Sequence, residues 1–322
     1  MARRIVTVFG GSGFLGRHVV QRLARTGALV RVAVRDAEAA QFLKPLGDLG
    51  QIVIVRADIT EPSTIAKAVR GADWVINLVG ILHSSGHRSF RAVHAMGAGR
   101  LAKAAAASGA TRFVHISALG ADRDSPSAYQ MTKAEGEAAV LKAFPTATIL
   151  RPGVMFGPDD QFFNRFASLL RISPVLPVFT THFTGDLSGP KFQPVYVGDV
   201  ADAVLASLTD ETALGKTFEL GGPDVMTMRQ VMEYIVEVTG RPRFIMPVHT
   251  DFIRFVAIFT QFWPKPPITP DQITVLESDN VLSGTKPGLR QLGISPETIG
   301  AVVPTYLSRY RLHHNMLRFR KS

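Results

Sequence analysis

Five strand-forming residues, Ile5-Val-Thr-Val-Phe9, run into three glycines at three-residue intervals, Gly10, Gly13 and Gly16, and no other stretch restricts the fold as tightly. β-Branched and aromatic residues favour an extended chain. The apolar positions that follow, Phe14, Leu15, Val19, Val20 and Leu23, recur at helical spacing up to a stop at Gly27. A second apolar strand, Leu29 to Val34, comes next. Glycine suits such a turn because the backbone must bend tightly, approach a pyrophosphate without a Cβ in the way, and bring the helix close to the sheet. Phosphates then rest on the free N–H groups and the positive end of the helix dipole. Gly10, Ser12, Gly13, Phe14, Leu15 and Gly16 are therefore candidate cofactor contacts.

Strand and helix patterns alternate through residue 151. Strands are predicted at Ile5–Phe9, Leu29–Val34, Ile52–Val55, Asp73–Val79, Thr111–Ser117 and Thr146–Arg151, with helices near 14–26, 62–70, 90–108 and 128–143. This alternation predicts an α/β fold, a Rossmann-type doubly wound parallel sheet with helices on both faces. Beyond 151 the pattern turns irregular: a helix over 160–171, a proline-rich loop through Gly189, a strand around Gln193–Val197, helices over 198–208 and 227–239, a strand at Thr217–Leu220 and further helices. The expected division is a nucleotide-binding core over 1–151, a smaller irregular lobe over 152–305 interleaved with it and closing over the sheet's carboxyl edge, and a basic tail over 306–322.

Composition narrows the function classes. With no cysteine, thiolate metal sites, disulfides and cysteine nucleophiles are excluded. Asp159-Asp160 reads as helix capping rather than a metal pair, Asp199 as another cap, and no metal site is expected. Uncharged runs such as Phe255–Pro264 are too short to span a bilayer. Met1 lies so near the first strand that no targeting segment is expected, which points to a cytoplasmic protein, peripheral at most to the inner (plasma) membrane. The net charge is +10, yet no nucleic-acid-binding signature accompanies it. Tyr306–Ser322 carries Arg309, Arg311, Arg318, Arg320 and Lys321 without an acid. Val303, Tyr306, Leu307, Tyr310, His314 and Leu317 recur there at helical steps, so the segment is expected to rest partly on the protein itself and partly on an anionic membrane surface or an acidic partner.

The residue that ends the second strand selects the cofactor. An acid there serves the ribose hydroxyls of NAD, and a cation serves the 2′-phosphate of NADP. Arg35 holds the position and favours NADPH. The alternative is Asp36 on the ribose of NAD. Ser117 ends the fifth strand, and Tyr129-Gln-Met-Thr-Lys133 opens the next helix with tyrosine and lysine on one face. The lysine's charge would stabilise a tyrosinate and lower the phenol's pKa from about 10, making Tyr129 a proton donor or acceptor.

In glycine spacing and in the Ser117, Tyr129 and Lys133 set, the chain resembles the extended and atypical short-chain dehydrogenase/reductases. That resemblance implies adenine contacts from Asp58 and Ile59, nicotinamide-ribose contacts from Val79, Gly80 and Lys133, and a loop covering the nicotinamide at Pro152, Gly153 and Val154. Longer segments, Ile76–Gly80, Ala143–Gly153, Phe156–Phe166, Gln193–Val197, Ile268–Gln272 and Leu292–Ile294, look like the NADPH-binding accessory subunit of respiratory complex I and its bacterial relatives. There the nucleotide is thought to support structure beside the quinone site. The implied function is an NADPH-loaded accessory or assembly protein of complex I, and the alternative is an active oxidoreductase for a carbonyl, quinone-related or sugar-like substrate.

Overall fold

The computed structural model describes residues 3–84, 86–260 and 268–311. The chain sorts into two units and passes repeatedly between them. Unit 1 comprises Met1–Gly153, Val197–Gly221 and Leu282–Pro296; unit 2 comprises Val154–Tyr196, Gly222–Val281 and the chain from Glu297 on.

Unit 1 is built on seven parallel strands: β1 (Ile5–Phe9), β2 (Leu29–Val34), β3 (Ile52–Arg56), β4 (Trp74–Asn77), β5 (Arg112–Ile116), β6 (Thr148–Pro152) and, from later in the chain, β11 (Thr217–Leu220). Their order is β11-β6-β5-β4-β1-β2-β3. The strand order reverses between β1 and β4, the place where doubly wound sheets leave a ligand crevice at their carboxyl ends. Val6, Val8, Val32, Val75 and Ile76 are fully or almost fully buried, because helices cover both faces and the strands read as continuous apolar runs. The helices are α1 (Phe14–Arg25), α2 (Pro62–Val69), α3 (Ala98–Ala107), α4 (Ala128–Ala143) and α6 (Val197–Thr209). α1 packs on α6, while α2, α3 and α4 pack in series. A late segment completes the unit: the Glu219 N–H donates to the Pro287 carbonyl, and the Ser283 N–H and hydroxyl both donate to the Glu219 carboxylate at 2.8 Å.

Among its described residues unit 2 holds three strand pairs: β7 (Met155–Phe156) with β10 (Val195–Tyr196), β9 (Lys191–Phe192) with β12 (Met226–Thr227), and β8 (Val175–Thr180) with β13 (Phe244–His249). Its helices are α5 (Phe163–Leu169), α7 (Met228–Thr239), α8 (Thr250–Thr260), α9 (Pro270–Leu276) and α10 (Ile299–Leu307). Phe156, Phe163, Leu170, Met232, Ile299 and Leu307 belong to its core.

Three expectations change. The proline-rich loop before Gly189 contains β8, whose alternating burial marks a half-buried strand. Among the described residues β8 and β13 pair only with each other and leave one edge of each open, which tolerates Pro177 and Pro247. The helix expected over 90–108 begins as a wider π-helical segment, Arg91–Gly97, before α3. Asp199 lies inside the first turn of α6 rather than ahead of it. Asp160 does serve the start of α5, accepting the N–H groups of Phe162 and Asn164 at 2.9 and 3.0 Å. Val303, Tyr306 and Leu307 are buried in unit 2, whereas His314, Leu317, Arg318, Arg320 and Lys321 lie outside the described residues.

Candidate functional site

Each glycine of the turn after β1 meets a different steric demand. Gly10 has φ +81°, and a Cβ there would lie 3.2 Å from the Leu78 carbonyl carbon and the Val79 nitrogen, the backbone just after β4. A Cβ on Gly16 would lie 2.3 Å from the Gly10 oxygen and 2.6 Å from Gly11, so helix and turn can touch only through glycine. Gly13, extended, caps α1 without a side-chain hydrogen bond, and the first turn carries no acid. The result is an uncapped, positively polarised helix end at the sheet's switch point, with Ser12 and Phe14 half-buried beside it. Leu15 is buried and can offer only backbone.

At the end of β2 Arg35 is exposed, while Asp36 accepts the Ala39 N–H at 2.9 Å and so belongs to the next turn. Asp58, after β3, is engaged: Thr60 donates its N–H and its hydroxyl, each at 2.8 Å, and Arg88 pairs with the carboxylate at 2.8 Å. Burial alone would raise the Asp58 pKa, but the Thr60 hydrogen bonds and the charges of Arg88 and Arg35 outweigh it and hold the carboxyl below its ordinary value. Ile59 lies in the apolar core.

The third cluster gathers around α4. Ser127 caps that helix by accepting the Gln130 N–H. One turn on, Lys133 is only 4% exposed and donates to the Ile116 carbonyl at 3.2 Å, one residue before Ser117. Its Nζ stands 5.9 Å from the centre of the Tyr129 ring, and a Cβ on Gly80 would lie 3.3 Å from it. Gly80, Tyr129 and Lys133 are therefore brought together. Burial lowers the Lys133 pKa to about 8 against the opposing pull of Glu137. Glu137 is itself engaged by Arg151 through two hydrogen bonds at 2.8 and 2.7 Å. The Ser117 hydroxyl and His115 Nε2 are buried without a hydrogen-bond partner among the described residues. Buried polar atoms are normally paired, so two orphans beside the lysine mark a place built to receive polar atoms from outside the chain.

Two further aromatic residues pack on Tyr129: Phe90 at 5.9 Å and His94 at 5.4 Å, both edge to face. His94 accepts the Ile81 N–H at 3.0 Å. Burial, then the charges of Lys133 and His115, lowers its pKa to about 2. Burial and Lys133 lower His115 to about 3. Both imidazoles therefore stay neutral at physiological pH. Asn77 Oδ1 accepts the Val79 N–H, which leaves its amide nitrogen facing His115 Nδ1 at 3.0 Å and places the ring proton on the orphaned Nε2. Sequence reasoning missed Phe90, His94, His115 and Arg88. His94 and Phe90 sit at the π-helical segment, and its sequence signal is Gly136, where the His94 backbone approaches α4, with Gly99 against the Ala139 side chain beyond it.

Pro152 ends β6 and the Gly153 N–H donates to Leu220 at 2.9 Å, in unit 1. Val154 opens unit 2 and donates to Asn280 Oδ1 at 3.1 Å.

A sequence profile described as the NAD dependent epimerase/dehydratase family matches residues 6–221. The chain belongs to that family. Among its relatives is the NADH dehydrogenase [ubiquinone] 1 alpha subcomplex subunit 9, mitochondrial, of Arabidopsis thaliana, 36% identical over 95% of this chain and 78% of that protein. The NADH-ubiquinone oxidoreductase 40 kDa subunit, mitochondrial, of Neurospora crassa is 34% identical over 95% of this chain and 79% of its own length. Of solved structures in the epimerase/dehydratase fold, Thermus thermophilus UDP-glucose 4-epimerase, complexed with NAD, superposes with a TM-score of 0.69 at 21% identity, covering 95% of this chain and 98% of that one. A nicotinamide dinucleotide is the cofactor of this family, and the residues present suit one: the glycine cradle after β1 admits a pyrophosphate, and the orphaned Ser117 hydroxyl directly follows β5, two strands away in the same parallel sheet.

Proposed function

We propose that this chain is an NADP(H)-carrying accessory subunit of a respiratory NADH:quinone oxidoreductase, complex I, with the nucleotide serving mainly to hold structure. The observation that carries the proposal is likeness along nearly the whole length to subunits of that enzyme in a plant and a fungus. Gly10, Ser12, Gly13, Phe14, Leu15 and Gly16 would hold the pyrophosphate, Asp58 and Ile59 would border the adenine, and Val79, Gly80 and Lys133 would meet the nicotinamide ribose. Pro152, Gly153 and Val154 would cover the nicotinamide. Arg35 would face the 2′-phosphate, a choice supported by its exposure and by the engagement of Asp36 in its own turn. Among the described residues no helix is long and apolar enough to cross a membrane, so attachment to the membrane complex would be peripheral.

A second reading, an active oxidoreductase on a carbonyl, quinone-related or sugar-like substrate, is favoured by the unpartnered Ser117 hydroxyl beside a lysine of lowered pKa. When bound, the nicotinamide supplies hydride chemistry. Tyr129 would hold or accept the proton at its phenolic oxygen, Lys133 would stabilise the tyrosinate, and Ser117 would orient the substrate oxygen.

One set of measurements separates the two. Affinity isolation from native membranes should recover the chain with complex I subunits, and Tyr129→Phe should leave both that association and the bound nucleotide unchanged. A reductase activity that Tyr129→Phe abolishes, with no complex recovered, would replace the first reading by the second. Calorimetry should show NADPH bound about 10- to 100-fold more tightly than NADH, with Arg35→Asp narrowing or reversing the ratio. Equal affinities in the unsubstituted protein would remove Arg35 from the phosphate site.

A further inference from the structure

The polarity of α8 is the reverse of an ordinary surface helix. Thr250 and Ala257 are buried, and Arg254 makes two 2.7 Å hydrogen bonds to Glu277, a residue past the end of α9. Phe252, Phe255, Val256 and Phe259 are instead exposed by 65, 61, 40 and 62%. At 3.6 residues per turn these four side chains share one stripe about 100° wide, with no charged residue in it. The patch continues around the helix start. Phe183, 78% exposed, stacks on His249 at 3.8 Å, and on β13 Phe244 and Met246 are exposed at alternate positions. Monomeric proteins rarely leave contiguous apolar surface of this kind uncovered.

Its chemistry points to lipid. Protein interfaces combine an apolar centre with a hydrogen-bonding rim, whereas the α8 stripe offers no polar side chain at all. The sequence directly after the helix, Gln261-Phe-Trp-Pro-Lys265-Pro-Pro267, joins two aromatics to a single lysine, the composition favoured where hydrocarbon meets headgroups. From Glu297 to the end the sequence carries Arg309, Arg311, Arg318, Arg320 and Lys321 against one acid, a charge complementary to anionic headgroups. Eleven residues rise only about 16 Å, roughly half the hydrocarbon thickness of a bilayer, so the helix can lie in the interface and cannot cross it.

We infer that α8 is an interfacial anchor, whose Phe252, Phe255, Val256 and Phe259 face enters the outer hydrocarbon layer of an anionic bilayer. The inference concerns bare lipid and does not depend on the complex I reading. The test is flotation of the full-length protein with vesicles of phosphatidylcholine and phosphatidylglycerol, at low and high salt, with oligomeric state measured by light scattering. The unsubstituted protein should float, and a fraction should remain bound at high salt because apolar insertion is not screened. The triple variant Phe252→Ser, Phe255→Ser, Phe259→Ser should lose about 100-fold in partitioning while keeping its thermal unfolding and nucleotide binding. The matching triple leucine variant should retain vesicle binding, since apolarity and not ring geometry is what counts. The inference is overturned if the serine variant floats as fully as the parent, if the parent does not float, or if only removal of Arg311–Ser322 abolishes binding. It is also overturned if the parent is a dimer that the serine substitutions convert to monomers. Loss of flotation with complex I association intact would leave the functional proposal standing.

Discussion

Alanine at position 136 is expected to destabilise the protein by about 3 kcal/mol or more, although alanine is the residue a helix interior ordinarily favours most. Gly136 lies inside α4, and a Cβ there would sit 2.1 Å from the His94 carbonyl oxygen and 3.0 Å from its carbon. Both obstacles are backbone, so no rotamer change can make room. The π-helical segment would have to withdraw from α4, taking His94 away from Tyr129 and breaking the bond from the Ile81 N–H to His94. Gly300, in α10, is the control. A Cβ there meets nothing within 4 Å, and Gly300→Ala should stabilise by up to about 1 kcal/mol. Urea unfolding of both variants tests the contrast. Equal stabilities would mean that the close approach of α4 to the π-helical segment is not a constraint on this fold.

Replacing Lys133 by methionine should stabilise the nucleotide-free protein at pH 7, by about 2 kcal/mol. Burial lowers the lysine's pKa to about 8 from 10.5 in the unfolded chain. Below pH 8 both states carry the proton and the folded state bears the full penalty for a buried charge, about 3 kcal/mol at 1.36 kcal/mol per unit. Methionine removes that penalty but leaves the Ile116 carbonyl without its donor, which returns about 1 kcal/mol. Between pH 8 and 10.5 the unfolded chain binds more protons than the folded one, so the unsubstituted protein gains stability as pH rises. The advantage of methionine should shrink across that window and reverse above it. Urea midpoints from pH 7 to 11 give the answer. A difference that does not change with pH would show that Lys133 does not titrate as its burial requires. At pH 7 nucleotide binding should fall in the same variant, because the stabilising change removes the ammonium proposed to meet the ribose.

The early part of the chain could be read closely from sequence because each feature there has a local cause. Ile5–Phe9 and Leu29–Val34 fall where strand composition places them, and α4 spans the 128–143 expected of the helix that Tyr129 opens. The glycine turn was legible for the same reason, since only glycine fits at Gly10 and Gly16. What escaped notice depends on residues far apart in the chain. The π-helical turn at Arg91–Gly97 is paired with a glycine some 40 residues later, and helical periodicity alone cannot distinguish it from an α-turn. Arg88 approaches Asp58 across 30 positions. β8 was hidden by Pro177 until its partner β13, nearly 70 residues on, gave it something to pair with. Lys133 and Tyr129 could be named from spacing, but the depth of the lysine's burial and the orphaned hydroxyl of Ser117 could not.

The division of unit 1 among three separated stretches governs how the protein can be made. A ribosome releases β6 long before it releases β11, so during synthesis the sheet waits with a bare edge at Thr148–Pro152 until Thr217–Leu220 emerge. The bonds that fasten Glu219 to Ser283 and Pro287 come later still. At roughly 5–20 residues per second, translation to residue 296 takes about 15–60 s. The stretch between Pro152 and Thr217 takes about 3–13 s of that time, during which the unpaired β6 edge is a template on which another nascent chain can add a strand. The binding site reads as an amino-terminal module, yet a fragment that stops at Gly153 would carry that open edge permanently.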